Sequence, residues 1–116
     1  MGVSYNTIID QGADWYFTVI YDNPDGQPID ITGSTAALQL RSLPSSPIYV
    51  LSLATDGDGI TIDGGAGTVN IHATAEQTGA IDEGTYFYDL EITAPATTVV
   101  TRLVQGQIVV SAQVTK

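Results

Sequence analysis

Apolar and polar residues alternate with a period of two along much of this chain, the spacing that sends successive side chains to opposite faces of a β-strand. Over residues 14–21 the alternation sets Trp15, Phe17, Val19 and Tyr21 on one face and leaves Tyr16 on the other. Over residues 35–41, Ala36, Leu38 and Leu40 oppose Gln39 and Arg41. Tyr86, Tyr88, Leu90 and Ile92 share a face, with Phe87, Asp89 and Glu91 outward. Residues 48–53 predict another strand, and residues 59–63 and 68–72 a hairpin around Gly64-Gly65-Ala66-Gly67, with Val69 and Ile71 inward. Residues 99–110 predict either one long strand or two, with Gly106 marking a bulge.

Turn chemistry separates these runs. Asn23-Pro24-Asp25-Gly26 and Thr32-Gly33 are breaks, residues 93–98 form a turn around Pro95, and the two prolines of residues 43–47 require an exposed loop. Thr74-Ala75-Glu76-Gln77 fits a capping box that opens a single helical turn ending near Gly79. Directly after it, Asp82-Glu83-Gly84-Thr85-Tyr86-Phe87-Tyr88 reads as a tyrosine corner. In immunoglobulin-like sandwiches such a Tyr leads into a late strand and its hydroxyl turns back onto the preceding loop. Tyr88 stands where antibody domains carry a disulfide cysteine. The expected fold is therefore all-β: an antiparallel immunoglobulin-like sandwich with one short helical turn before the corner, formed by residues 1–116 as one domain.

Composition narrows the function classes. The chain has 116 residues and no cysteine, which excludes disulfides and thiolate chemistry. Thirteen acidic residues face three basic ones (Arg41, Arg102 and Lys116), for a net charge of −10. Such a field repels phosphate backbones, so no nucleic-acid partner is expected. Only 14% of residues are charged, against about 25% in ordinary globular chains. That sparseness suggests surface covered by partners in a multicopy or homo-oligomeric assembly; the alternative is a low-lysine β domain solubilised by acidic loops. No lysine lies inside the domain to guard a sheet edge, so the edges are expected to be covered by neighbours or to receive a partner's strand. The first residues lack an export pattern and the apolar runs fall short of a membrane span, so a cytoplasmically made protein with no membrane partner is expected.

Candidate chemistry is thin. Asp56, Asp58 and Asp63 resemble a calcium loop, but Ile60 occupies the third acidic position and no Glu closes it; tight-turn chemistry explains the same residues, and no metal or cofactor is expected. His72, the single histidine, points outward without partners for zinc or a nucleophile. Asp89 and Glu91 share a strand face about 7 Å apart, as a carboxylate pair would, yet so small a domain leaves little room for a cleft, and no enzymatic activity is expected. The outward aromatics Tyr16, Tyr49 and Phe87 suit a partner surface, sugar stacking or burial under neighbouring loops. Arg41 and Arg102, the internal cations, either pair with local carboxylates such as Asp89 or Glu91 or reach an acidic patch on a partner.

Taken in order, several segments resemble a group of small bacteriophage and prophage virion proteins with an immunoglobulin-like fold. They are Ile9-Asp10-Gln11-Gly12-Ala13-Asp14-Trp15, Asp25-Gly26-Gln27-Pro28-Ile29-Asp30-Ile31-Thr32-Gly33, Ala37-Leu38-Gln39-Leu40-Arg41, Asp58-Gly59-Ile60-Thr61-Ile62 with Gly67-Thr68-Val69, Gly84-Thr85-Tyr86-Phe87-Tyr88-Asp89-Leu90-Glu91, and Val100-Thr101-Arg102-Leu103-Val104-Gln105-Gly106 with Val109-Val110-Ser111. The resemblance implies a non-enzymatic virion component of the tail, baseplate or fibre-attachment region, with capsid decoration as the alternative and other virion proteins as partners. A carbohydrate-recognition module for the host surface is the rival from another class. No catalytic residue comes with the resemblance.

Overall fold

The structure is a computed structural model that describes residues 3–22, 25–46, 48–55, 59–97 and 99–114. Its elements are β1 (Val3–Ser4), β2 (Thr7–Asp10), β3 (Trp15–Ile20), β4 (Thr35–Arg41), β5 (Leu51–Ala54), β6 (Ile60–Asp63), β7 (Thr68–Ala73), α1 (Ala75–Gly79), β8 (Gly84–Thr93) and β9 (Val100–Ser111). The larger sheet runs β1-β9-β8-β4-β5 with β2 also on β9, and β3-β7-β6 form the smaller one. Expected inward residues meet between them, Leu38, Leu40 and Leu90 from one sheet and Trp15, Val69 and Ile71 from the other, and Leu53 and Ile108 join them, all buried. No helix among the described residues is long and apolar enough to cross a membrane.

The local signals take the expected form. Thr74 Oγ1 accepts from the Gln77 N–H at 3.2 Å and Gln77 Oε1 accepts from the Thr74 N–H at 2.8 Å, closing the capping box of α1. The Tyr86 hydroxyl donates to the Asp82 carbonyl at 2.7 Å, the tyrosine corner. Thr78, fully buried in α1, donates to the Ala13 carbonyl at 2.8 Å and accepts from the Gly12 N–H at 3.1 Å. Gln11 donates to the Ile81 carbonyl at 2.8 Å. The Gln11–Trp15 corner is thus the clamp that holds the helical turn, which explains its Gln, Gly and small residues in physical terms.

Three expectations are corrected. The sandwich is not wholly antiparallel: β1 and β2 run parallel to β9, a pairing that their short apolar runs do not announce. The strand expected over 48–53 begins at Leu51, while Ile48, Tyr49 and Val50 are exposed. The preceding loop keeps the chain away, since Ser46 Oγ turns onto Ile48 and the ladder is joined only at the Val50 N–H to Leu40 carbonyl bond of 2.8 Å. Residues 100–111 make one strand, but its irregularity is not at Gly106. Leu90 pairs with Val104 while Glu91 pairs with Arg102, which makes Leu103 the extra residue. Asn23-Pro24, Pro47 and Thr98, within expected turns, lie outside the described residues.

Gly106 does different work. A β-carbon there would lie 2.2 Å from the Tyr5 carbonyl oxygen and 2.8 Å from Asn6 Oδ1. The absence of a side chain lets the β1–β2 junction press onto β9, where the Tyr5 N–H donates to the Gln105 carbonyl at 2.8 Å and Asn6 Oδ1 accepts from the Gln107 N–H at 3.0 Å. The Tyr88 hydroxyl completes the junction by donating to the Tyr5 carbonyl at 2.7 Å.

Two predictions follow from this junction. Gly106→Ala forces the Tyr5 carbonyl to lift and lowers unfolding free energy in urea by about 3 kcal/mol, the upper end of overpacking costs. Burial pushes the Tyr88 phenol up from 10.0 to about 12. The fold favours its neutral form, so that contribution is complete below pH 10 and is lost as pH rises from 10 towards 12. Thermal melts of the wild type should fall across this window more steeply than those of Tyr88→Phe.

Candidate interaction face

The larger sheet turns its outer face to solvent, and strand register arranges that face in rows. Phe87 on β8 lies between Arg41 on β4 and Gln107 on β9; Asp89 lies between Gln39 and Gln105; Glu91 pairs with Ala37 and Arg102. With Ser4, Asn6 and Pro44, all of these residues except Ala37 line an open depression of about 770 Å³. The bulge explains why Arg102 belongs to it. Strict alternation would put Arg102 on the same face as buried Val104, Ile108 and Val110. The extra residue at Leu103 shifts the phase and keeps Arg102 outward beside Gln105 and Gln107.

The two arginines are held differently. Arg102 Nε sits 3.4 Å from Asp89 Oδ2 and its Nη1 donates to Gln105 Oε1 at 2.9 Å. This pair is open to water, with side chains 50% and 37% exposed, and solvent screening keeps its contribution small. Arg41 donates to the Ser46 carbonyl at 2.7 Å and to Gln39 Oε1 at 2.6 Å, so a loop carbonyl and an amide hold it rather than a carboxylate. Its guanidinium also lies 6.0 Å from the Tyr49 ring centre. Arg41 therefore pins the loop after β4, and Arg102 is the more exposed cation.

Of the five interface candidates, Arg41, Phe87 and Arg102 share this depression and Tyr49 adjoins it through Arg41. Tyr16 is on the outer face of the smaller sheet, 71% exposed, where it stacks on His72 with centroids 4.5 Å apart. His72 Nε2 lies 2.9 Å from Asp14 Oδ2, and the Ala75 N–H donates to Asp14 Oδ1 at 2.8 Å. The His72 hydrogen bond, then that of Ala75, holds the Asp14 carboxyl below its usual range. Asp56 and Asp58 of the expected calcium loop lie outside the described residues, and Asp63 ends β6, exposed, opposite Thr68. Sequence reasoning missed Gln39, Gln105 and Gln107 as parts of the face. Their outward positions on β4 and β9 were available signals, although for β9 the phase shift obscures them.

No protein-family model matches the chain, and no curated protein matches it. Among solved structures it is similar to a crystal structure of chicken TCR, with a TM-score of 0.58 at 13% identity. The match covers 95% of this chain and 54% of that one, so the chain spans about half its length. That likeness, with the two packed sheets, shows an immunoglobulin-like β-sandwich.

Charge substitutions should separate the two arginines. Arg41→Ala releases the loop carbonyl and costs about 2 kcal/mol in urea unfolding, within the range for hydrogen bonds from charged groups. Arg102→Glu loses an exposed pair and adds a carboxylate near Asp89 and Glu91, at a cost of about 0.5–1 kcal/mol. Equal losses in the two variants would contradict the assigned roles.

Proposed function

We propose that this chain is a non-enzymatic structural module of a bacteriophage virion, present in several copies and docking other virion proteins through the outer face of its larger sheet. The tail, baseplate or fibre-attachment region is favoured over capsid decoration. The observation that carries the reading is the face itself: a broad, shallow surface in which Phe87 and Arg102 are surrounded by amide side chains that can both donate and accept. Aromatic and arginine anchors within a rim of hydrogen-bonding groups are what a protein partner engages. The order of the motifs along the chain supports the virion assignment.

A second reading rests on Tyr16. Its exposed ring, stacked on His72 and flanked by Asp14 and by Asn70, which accepts from Thr18 at 3.1 Å, offers a stacking platform with polar neighbours. That combination suits a sugar ring, and it would serve attachment to a host surface.

Immunogold electron microscopy of phage particles from the source, with antibody to the purified chain, tests the first reading. Label at the tail end is the expected result, and label over the head would move the module to decoration. Particles that contain no copy of the chain by mass spectrometry would overturn the virion assignment. Arg102→Glu should reduce incorporation into particles at least about tenfold, the scale of losing an interfacial charge contact worth roughly 1.4 kcal/mol or more, while the isolated chain remains folded.

A further inference from the structure

Between β3 and the 101–104 stretch of β9, before β1 and β2 join that strand, the structure leaves an open seam. Among the described residues β3 is an edge strand whose strand partner is β7. The Tyr21 N–H donates to the Gly67 carbonyl at 2.7 Å on the β7 side. Strand alternation therefore turns the N–H and C=O groups of Tyr16, Thr18 and Ile20 to the free edge. Behind that edge the core is incomplete. Val69, Ile71 and Ala73 on β7 are buried, whereas Phe17 and Val19, inward on β3, are only half-buried. They line a groove of about 660 Å³ with Tyr5, Tyr21, Leu103 and Val104.

The N-terminal strands do not fill this place, because β1 and β2 lie on β9 from Val104 onward. No proline or lysine occupies β3, and its outward side chains are Tyr16, Thr18 and Ile20, the first and last of them exposed apolar residues. A free edge of six residues without these protections is a template for another strand.

The geometry points to an extended segment of a partner protein that adds to β3 as a new edge strand and sets alternate apolar side chains into the groove against Phe17, Val19 and Leu103. Charge identifies the partner's chemistry. A second copy of this chain would bring a second net charge of −10 to the seam, and Asp22 is the charged residue lining the groove. The segment is therefore alternating apolar and uncharged polar, with lysine or arginine at its ends. This site lies away from the outer face of β4, β8 and β9 and does not depend on the virion reading.

The test uses the whole chain and a blocked peptide of alternating valine and threonine with a lysine at each end. Amide exchange is followed by NMR with and without the peptide, and with a control in which the central valine is replaced by proline, which cannot complete the ladder. At a peptide concentration about ten times its dissociation constant, exchange at Tyr16, Thr18 and Ile20 should slow about tenfold, and the control should leave it unchanged. Equal slowing by the control, or none by either peptide, would overturn the proposal. So would amides of Tyr16, Thr18 and Ile20 that exchange in the free protein as slowly as those of β8. If that protection accompanies a dimer in sedimentation, the edge is closed by a second copy instead. Particle labelling and peptide addition read separate events, so either can fail alone.

Discussion

The close approach of the Tyr5 carbonyl to Gly106 is the constraint on which the rest of the arrangement depends. Only the missing side chain lets the β1–β2 junction seat on β9, and that seat fixes the N-terminal strands parallel to β9 rather than along β3. The Tyr88 hydroxyl reads the same oxygen from within the core. One carbonyl thereby ties the start of the chain to its last two strands. Because the segment is committed to β9, the edge of β3 has no strand beside it among the described residues. The open groove is a consequence of how the N-terminus is held, not a defect of packing elsewhere.

The single extra residue at Leu103 has a comparable reach. Alternation fixes which side chains a strand shows to each face, and shifting its phase reverses them. Leu103, the extra residue, lines the groove with Val104, and beyond it Ile108 and Val110 are buried in the sandwich. The same shift keeps Arg102 outward with Gln105 and Gln107. Without the extra residue, regular alternation would carry Arg102 to the face of Val104 and out of the polar row.

Much of the sandwich was legible because its signals are local. The capping box of α1, the tyrosine corner at Tyr86 and the alternation of β3, β4 and β8 each depend on residues within a few positions of one another. What escaped depends on contacts distant in sequence. The parallel seat of β1 and β2 joins residues about a hundred positions apart, and nothing in a two-residue strand marks it. Gly106 reads equally as a bulge or as a close approach, and only the Tyr5 oxygen decides between them. The outward positions of Arg41 and Phe87 were readable from the alternation of β4 and β8. Their meeting with Arg102 required the order of strands in the sheet.

A sandwich of this kind without cysteine needs another link between its sheets, and Phe17 supplies it. Its ring on β3 stacks on Trp15 at 5.4 Å and on Tyr5 at 5.6 Å, and meets Tyr88 edge-on at 6.2 Å across the sheets. The two contacts that cross between the sheets, to Tyr5 and Tyr88, stabilise by roughly 2 kcal/mol together, at the low end of what a single disulfide contributes. The aromatic link is indifferent to redox conditions, but it requires exclusion of water, and Phe17 is only half-buried at the groove. Whatever covers the edge of β3 therefore also dries the contact that joins the two sheets. Binding there and stability of the sandwich are then coupled through one ring.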